Sequence, residues 1–262
     1  MRSATAKSHA WDYLRDLKPD LALLQDVVSI PDDFTLHFKC RFEKATGKTG
    51  SPQKFSTAIL VRGVIERPIK LLSQWDWVDK ELDRFSGNLV AGTVAVKNHQ
   101  ENLNVISVYS PAWPVDPKRL AGVNLSELSI VEGQYGHDLW VTELLWATLQ
   151  NKNFNEGIPW VIAGDFNLSE TFETKRPNGP HGCKEFLDRM GKLGLTECLR
   201  HSNKKIVPTF KHSRGKVEDQ LDHLFVSASL ANRLADCVVG DGKIVFGQSL
   251  SDHLPIIADF AD

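Results

Sequence analysis

The feature that most constrains this chain is a long series of strand-length apolar runs that do not alternate with helices. Leu21-Ala22-Leu23-Leu24 opens the series as a continuous apolar run, the pattern of a strand buried on both faces. Phe34 to Cys40, Ser56 to Arg62, Ile69 to Trp75, Leu89 to Val96 and Leu103 to Tyr109 follow. Several are joined by short polar or Gly-containing stretches with no room for a crossover helix, so antiparallel neighbours are expected. Later strands are read at Pro159 to Ala163, Leu221 to Val226, Ala235 to Val239 and Pro255 to Phe260.

Helical periodicity is confined to three segments. Ala10, Tyr13, Leu14 and Leu17 share one face of a helix near Ser8 to Leu17, which Lys18-Pro19-Asp20 ends. A second helix is read at His137 to Gln150. A third spans Gly182 to Leu193, with Cys183, Phe186, Leu187 and Met190 on one face and Gly194 as a left-handed stop. Strands in runs with few helices point to α+β layering, not to a doubly wound parallel sheet. With no repeat, linker or low-complexity tract, residues 1–262 read as one domain.

Composition adds limits. Lys+Arg number 31 against 33 Asp+Glu, a net charge of −2, which excludes a generally basic coat while leaving a local basic groove open. Cys40, Cys183, Cys198 and Cys237 form no CxxC pair, so neither a disulfide framework nor a sulfur-bound zinc has spacing support. The opening Met1-Arg2-Ser3-Ala4-Thr5-Ala6-Lys7 precedes no apolar run, and no stretch approaches the roughly 18 apolar residues of a spanning helix. The expectation is a soluble, cytoplasmic chain without membrane insertion or an obligate protein partner.

Five polar breaks stand at strand ends. In Trp160-Val161-Ile162-Ala163-Gly164-Asp165-Phe166-Asn167, a buried strand runs into a Gly, and Asp165 and Asn167 fall on one side of an extended chain. Such a pair can hold a water, a phosphate oxygen or a hard cation; a plain turn uses the same residues. In Leu250-Ser251-Asp252-His253-Leu254-Pro255, adjacent Asp and His suit a metal or anion, or a polar loop. Asp222 interrupts an apolar strand, where a carboxylate is costly unless paired, and His253 would suit it as partner. His223 should face the other way and be packed or superficial. Leu24-Gln25-Asp26-Val27 and Val108-Tyr109-Ser110-Pro111 complete the set, the second carrying a phenol able to donate to an oxyanion.

Taken in order between residues 21 and 260, these five stretches resemble the endonuclease/exonuclease/phosphatase superfamily, which includes deoxyribonuclease I and exonuclease III-type abasic-site nucleases as well as sphingomyelinases and inositol-polyphosphate phosphatases. The resemblance implies a four-layered α/β sandwich, two mixed sheets packed together and flanked by helices, with a site at one rim. It implies phosphoester hydrolysis dependent on Mg²⁺ or Mn²⁺, cations that prefer oxygen ligands. By the same resemblance Asp26 is a metal ligand and Asp252 assists on the metal side. Asp165 orients or deprotonates the attacking water, and Asn167 holds the phosphate. His253 contacts the scissile phosphate, Asp222 orients the imidazole, and Tyr109 donates to a phosphate oxygen.

The chain departs from the family pattern at two points. Asp26 stands where the family has Glu, about 1.5 Å shorter in reach. The family also opens with a strand ending in Trp-Asn, and no such Asn is present here. A start downstream of the true one is the favoured explanation, and weak or absent turnover is the expectation for the chain as written. A nuclease is the leading substrate reading. The alternatives are a phosphatase or phosphodiesterase on small-molecule or lipid phosphates, or a binding relative without activity.

Two basic runs bear on this choice. Lys39, Arg41, Lys44, Lys48 and Lys54 face only Glu43 between residues 39 and 54. Lys204, Lys205, Lys211, Arg214 and Lys216 stand without an acid between 204 and 216. They suit a polyanionic substrate, with Lys204, Lys205 and Arg214 as candidate contacts, or are merely solvated loops. Tyr109, where many relatives carry His, leans towards the abasic-endonuclease branch; Ala112, where that branch tends to place Asn, leans away.

Overall fold

Alternation along the strands sorts the apolar residues into separate cores, and these define the layers. The computed structural model describes residues 3–125, 128, 138–175 and 182–261. A three-stranded antiparallel sheet contains β1 (Leu21–Val27), β2 (Lys39–Thr46) and β3 (Pro52–Val61), in the order β1-β3-β2. On β3, Ala58 and Leu60 point to one face while Ile59 and Val61 point to the other, and all are fully buried. The first face is covered by α1 (Ala10–Leu17) and α2 (Asp32–His37).

A six-stranded sheet packs on the second face. Its strands are β4 (Gly63–Pro68), β5 (Leu89–Val96), β6 (Asn102–Tyr109), β7 (Trp160–Asp165), β8 (Leu195–Glu197) and β11 (Asp222–Ser227), in the order β4-β5-β6-β7-β11-β8. Val94, Val105, Val161 and Val226 fill the space between the sheets. Ala91, Ile106, Ile162 and Phe225 face outwards, onto α3 (Asp76–Arg84), α4 (Val141–Leu149) and α6 (Cys183–Lys192). Neighbours pair antiparallel except β6 and β7, which are parallel and separated in sequence by α4. Between β8 and β11 lie α7 (Cys198–Asn203) and a hairpin of β9 (Phe210–Lys211) and β10 (Val217–Asp219), while β12 (Leu234–Val239) pairs antiparallel with β13 (Ile256–Phe260). The result is the expected α+β sandwich, two packed sheets flanked by helices.

Two strand expectations are corrected. Phe34 to Cys40 is a helix followed by a strand start: Asp32 and Asp33 occupy the first turn of α2, where acids favour the helix dipole. Phe34 and Phe38, one turn apart, stack at 5.6 Å, and Phe34 meets Trp11 at 4.9 Å. Phe34→Ala should cost about 3–5 kcal/mol, read from urea denaturation, because the ring is buried among aromatics that cannot collapse into its place. Ile69 to Trp75 forms no strand; the sheet's outer strand is β4, and the chain then leads irregularly into α3. The helix at His137 to Gln150 is observed as α4; His137 lies outside the described residues. Gly194 has φ +88°, the left-handed stop expected. All four cysteines are free thiols. No helix among the described residues is long and apolar enough to cross a membrane.

Candidate active site

Register brings the site together. Tyr109 ends β6, Asp165 ends the parallel β7, and Asp222 opens the antiparallel β11; the first two are cross-strand partners, and so are the last two. Direct cross-strand partners share a face, so a phenol and two carboxylates form a row on one rim. Gly164 makes this approach possible: its φ is +143°, and a Cβ there would lie 2.1 Å from the Val108 carbonyl oxygen. A β-bulge between Leu24 and Val27 carries Asp26 at φ +61°, a cost for a non-glycine residue.

His253 closes the row. Its Nδ1 lies 2.8 Å from Asp222 Oδ2, the partnership expected from sequence. Carboxylate and imidazole atoms of Asp165, Asp222 and His253 lie within 4.8 Å of one another, a group able to hold a metal ion. Asp165 is buried, and burial pushes its carboxyl up to about 7; the His253 charge opposes this and Asp222 adds to it. Burial also works against the His253 charge, but Asp222 and then Asp165 outweigh it and hold the imidazole at about 9. Asp26 is raised as well, mainly by burial, with Asp252 adding and the Ser3 backbone N–H opposing. Burial, with the charges of Asp165 and Asp26, drives the Tyr109 phenol upward and keeps it a donor.

Asn167 acts on Asp165 directly. Its backbone N–H donates to Oδ1 at 2.9 Å and its Nδ2 to Oδ2 at 2.9 Å, while Nδ2 also donates to the Ser110 carbonyl at 2.7 Å. Both amide hydrogens are thus engaged within the protein, which leaves Oδ1 as the group's free acceptor capacity. His223 packs as expected: it is buried against Phe166 and Phe225, with ring nitrogens near Gln220 and the Leu168 carbonyl.

Of the other candidates, Asp26 feels the charge of Asp252, and both lie outside the three-residue group. Arg214 lies exposed in the β9–β10 turn, and that hairpin touches the site because Phe210 bridges His253, with rings 4.8 Å apart. Lys204 and Lys205 are exposed at the end of α7, and no hydrogen bond or ion pair among the described residues ties them to the rim.

Sequence reasoning missed the supports. Thr209 Oγ1 accepts from the backbone N–H groups of Leu221 and Asp222, and its carbonyl accepts from Leu254 N–H, which fixes Asp222 relative to His253. Asn88, fully buried, accepts from Thr46 N–H and donates to the Tyr109 carbonyl. Neither belongs to a local pattern. A second group of potential ligands, His212, Glu218 and Asp219, belongs to the β9–β10 hairpin. There Asp219 accepts from Thr171 and pairs with His212, tying the hairpin to α5 (Glu170–Lys175).

No protein-family model and no curated protein matches this sequence. Solved structures do. An AP endonuclease from Archaeoglobus fulgidus superposes with TM-score 0.69 at 19% identity, covering 98% of this chain and 96% of that one. A 3′ phosphatase, NExo, from Neisseria, bound to a product DNA hairpin, gives 0.62 at 18% identity over 98% and 96%. An AP endonuclease from Leishmania major gives 0.63 at 14% over 97% and 82%. At such identities the likeness speaks for the fold alone: this chain has the two-sheet α/β sandwich of these proteins.

Proposed function

We propose that the chain is a divalent-metal-dependent phosphoesterase of the endonuclease/exonuclease/phosphatase superfamily and that its substrate is a nucleic acid. The observation that carries this reading is the Asp165–Asp222–His253 group, in which a buried carboxylate and a carboxylate-held imidazole stand side by side at the sheet rim. Its chemistry suits Mg²⁺ or Mn²⁺: a carboxylate forced up to about 7 by burial is relieved by a hard cation, and Asp222, Asp26 and Asp252 add carboxylate oxygens beside it. Asp26 and Asp252 would hold the ion beside Asp165, and when bound it would polarise the phosphoryl oxygen and neutralise charge developing on it. Asp165, fixed by Asn167, orients the attacking water and takes its proton. His253, kept cationic by Asp222, contacts the scissile phosphate, and Tyr109 donates a hydrogen bond to a phosphate oxygen.

The substrate class rests on charge at the rim. Phe55, at the start of β3, packs edge-on to Tyr109 at 5.1 Å, so the β2–β3 hairpin with Lys44, Lys48 and Lys54 flanks the site. Arg214 and Lys216 of the β9–β10 hairpin flank it on the side of His253. Opposed basic hairpins suit a backbone that carries phosphates beyond the one being cut. Nicking of supercoiled plasmid should require Mg²⁺, stop with EDTA and fall steeply with salt. Hydrolysis of bis-p-nitrophenyl phosphate with plasmid left intact would transfer the substrate to small phosphoesters. Tight DNA binding with neither activity would make the chain a binding relative. Asp26 favours slow turnover, since it stands outside the three-residue group, and Asp26→Glu should raise the nicking rate in the same assay.

A further inference from the structure

The rim opposite the candidate active site carries charge of the other sign. β1 spans seven residues, so its start beside Asp20 lies about 20 Å from its end at Asp26. Register puts the ends of β3 and β5 at that far rim: Val61 pairs with Leu21, and Val96 ends β5, whose other end lies beside Val108 and Tyr109. Backbone bonds then gather the three turns. Arg62 N–H donates to the Asp20 carbonyl at 2.8 Å, and Lys97 N–H donates to the Arg62 carbonyl at 2.6 Å. A pocket of about 440 Å³ opens here, lined by Asp20, His37, Arg62, Gly63, Lys97 and Asn98.

Arg62 is the unusual member. Among the described residues five arginines are partly or fully buried, and Arg41, Arg119, Arg189 and Arg233 each face a carboxylate. Arg62, the fifth, forms no ion pair among the described residues, although Asp20 lines the same pocket. Its guanidinium lies over the Phe38 ring at 5.2 Å, and its Nε is shut off from water without a hydrogen-bond partner. A shielded donor left unpaired is costly. A guanidinium laid on a ring is also ordered before any ligand arrives, so it loses little freedom on binding one.

We propose that this pocket binds a phosphate group, with Arg62 as its anchor. Arg62 and Lys97 supply two positive charges against the single acid on the wall, Asp20, and His37 and Asn98 add N–H donors. That set exceeds what the two oxygens of a carboxylate can use, and it suits the three terminal oxygens of a phosphomonoester. Asp20, an acceptor, suits a hydroxyl carried next to the phosphate. The distance from Asp26 excludes the phosphate being cut, so this is a separate site. A phosphate group reaches it on a free ester or as part of a nucleic acid, and the test separates these sources.

Ribose 5-phosphate is titrated into the ¹⁵N-labelled chain in EDTA and followed by amide NMR, with ribose as the control. Saturable shifts at Gly63, Lys97 and Asn98 are expected, with a Kd of about 1 mM or tighter, and none from ribose. Arg62→Lys keeps the charge but loses the planar fork and should weaken binding at least about tenfold. Lys97→Met, at an exposed position, should weaken it about fivefold without disturbing the fold. Displacement of the ester by 5′-phosphorylated duplex DNA would assign the pocket to a nucleic-acid phosphate, and an undisturbed ester would assign it to free esters; the phosphate site stands in both cases. Shifts confined to the Asp165–His253 rim, equal binding of ribose, or unchanged affinity in both variants would overturn the proposal. Binding is read without metal or turnover, so failure here leaves the phosphoesterase reading standing.

Discussion

Asp165→Asn should lower metal-dependent phosphodiester hydrolysis by about 10³-fold or more and leave thermal stability undiminished at about pH 8. Both halves follow from one carboxylate. In the folded chain burial raises it from 3.8 to about 7, so the native state binds its proton more tightly than the unfolded state does. Stability from this group is therefore greatest below 3.8 and falls as pH rises through about 7, where the native state must bury a charge beside Asp222. Asparagine removes that charge, and in the proposed mechanism the water loses the group that would take its proton. A divalent cation acts in the opposite sense by binding the ionised form. Mg²⁺ should raise the Tm of the unaltered chain at about pH 8, do much less at about pH 5.5, and do little for Asp165→Asn at either. Scanning calorimetry with and without the ion reads this directly. An undiminished rate in the variant, or an equal Mg²⁺ shift in both proteins, would remove Asp165 from the roles assigned to it.

How far the site could be read beforehand depends on whether its signal is local. Gly164 followed by Asp165 and Asn167 is legible because one strand end needs all three at once: the glycine for a close approach, the carboxylate, and the amide that holds it. The Asp222–His253 pair is legible because a carboxylate inside an apolar run demands a partner. Asn88 and Thr209 serve the same site and leave no such trace, since each joins segments distant in sequence and looks like any loop residue. The fold divides the same way. Runs such as Leu89 to Val96, covered on both faces by the sandwich, match the strands observed. Phe34 to Cys40 misleads because two rings one helical turn apart look like strand residues until Trp11 is placed beneath them. The leucines of β1 are the instructive mismatch, since their composition suits a strand covered on both faces, yet Leu21, Leu23 and Leu24 are only partly buried.

Asp222→Asn should move the alkaline limb of the rate profile to lower pH, and His253→Gln should reduce the rate by about 10²–10⁴-fold across the whole range. The imidazole is subject to opposed influences: burial disfavours its charge, whereas Asp222 at 2.8 Å and then Asp165 favour it strongly enough to hold it at about 9. A cation able to contact the scissile phosphate therefore persists through neutral pH and is lost as pH rises through about 9. With Asp222 neutralised, burial acts against Asp165 alone, and the limb should fall towards the ordinary imidazole range. The stability linkage has the matching sign. Because the folded value lies above 6.5, the pair's contribution is complete below 6.5 and disappears as pH rises through about 9. The same substitution also relieves Asp165 of a neighbouring negative charge and should lower its carboxyl, so the acid limb moves down as well and the whole bell shifts acidward. A variant whose two limbs stay in place while the rate drops would show that Asp222 does no more than hold the imidazole in position. A His253→Gln variant at full rate would remove the imidazole from the chemistry.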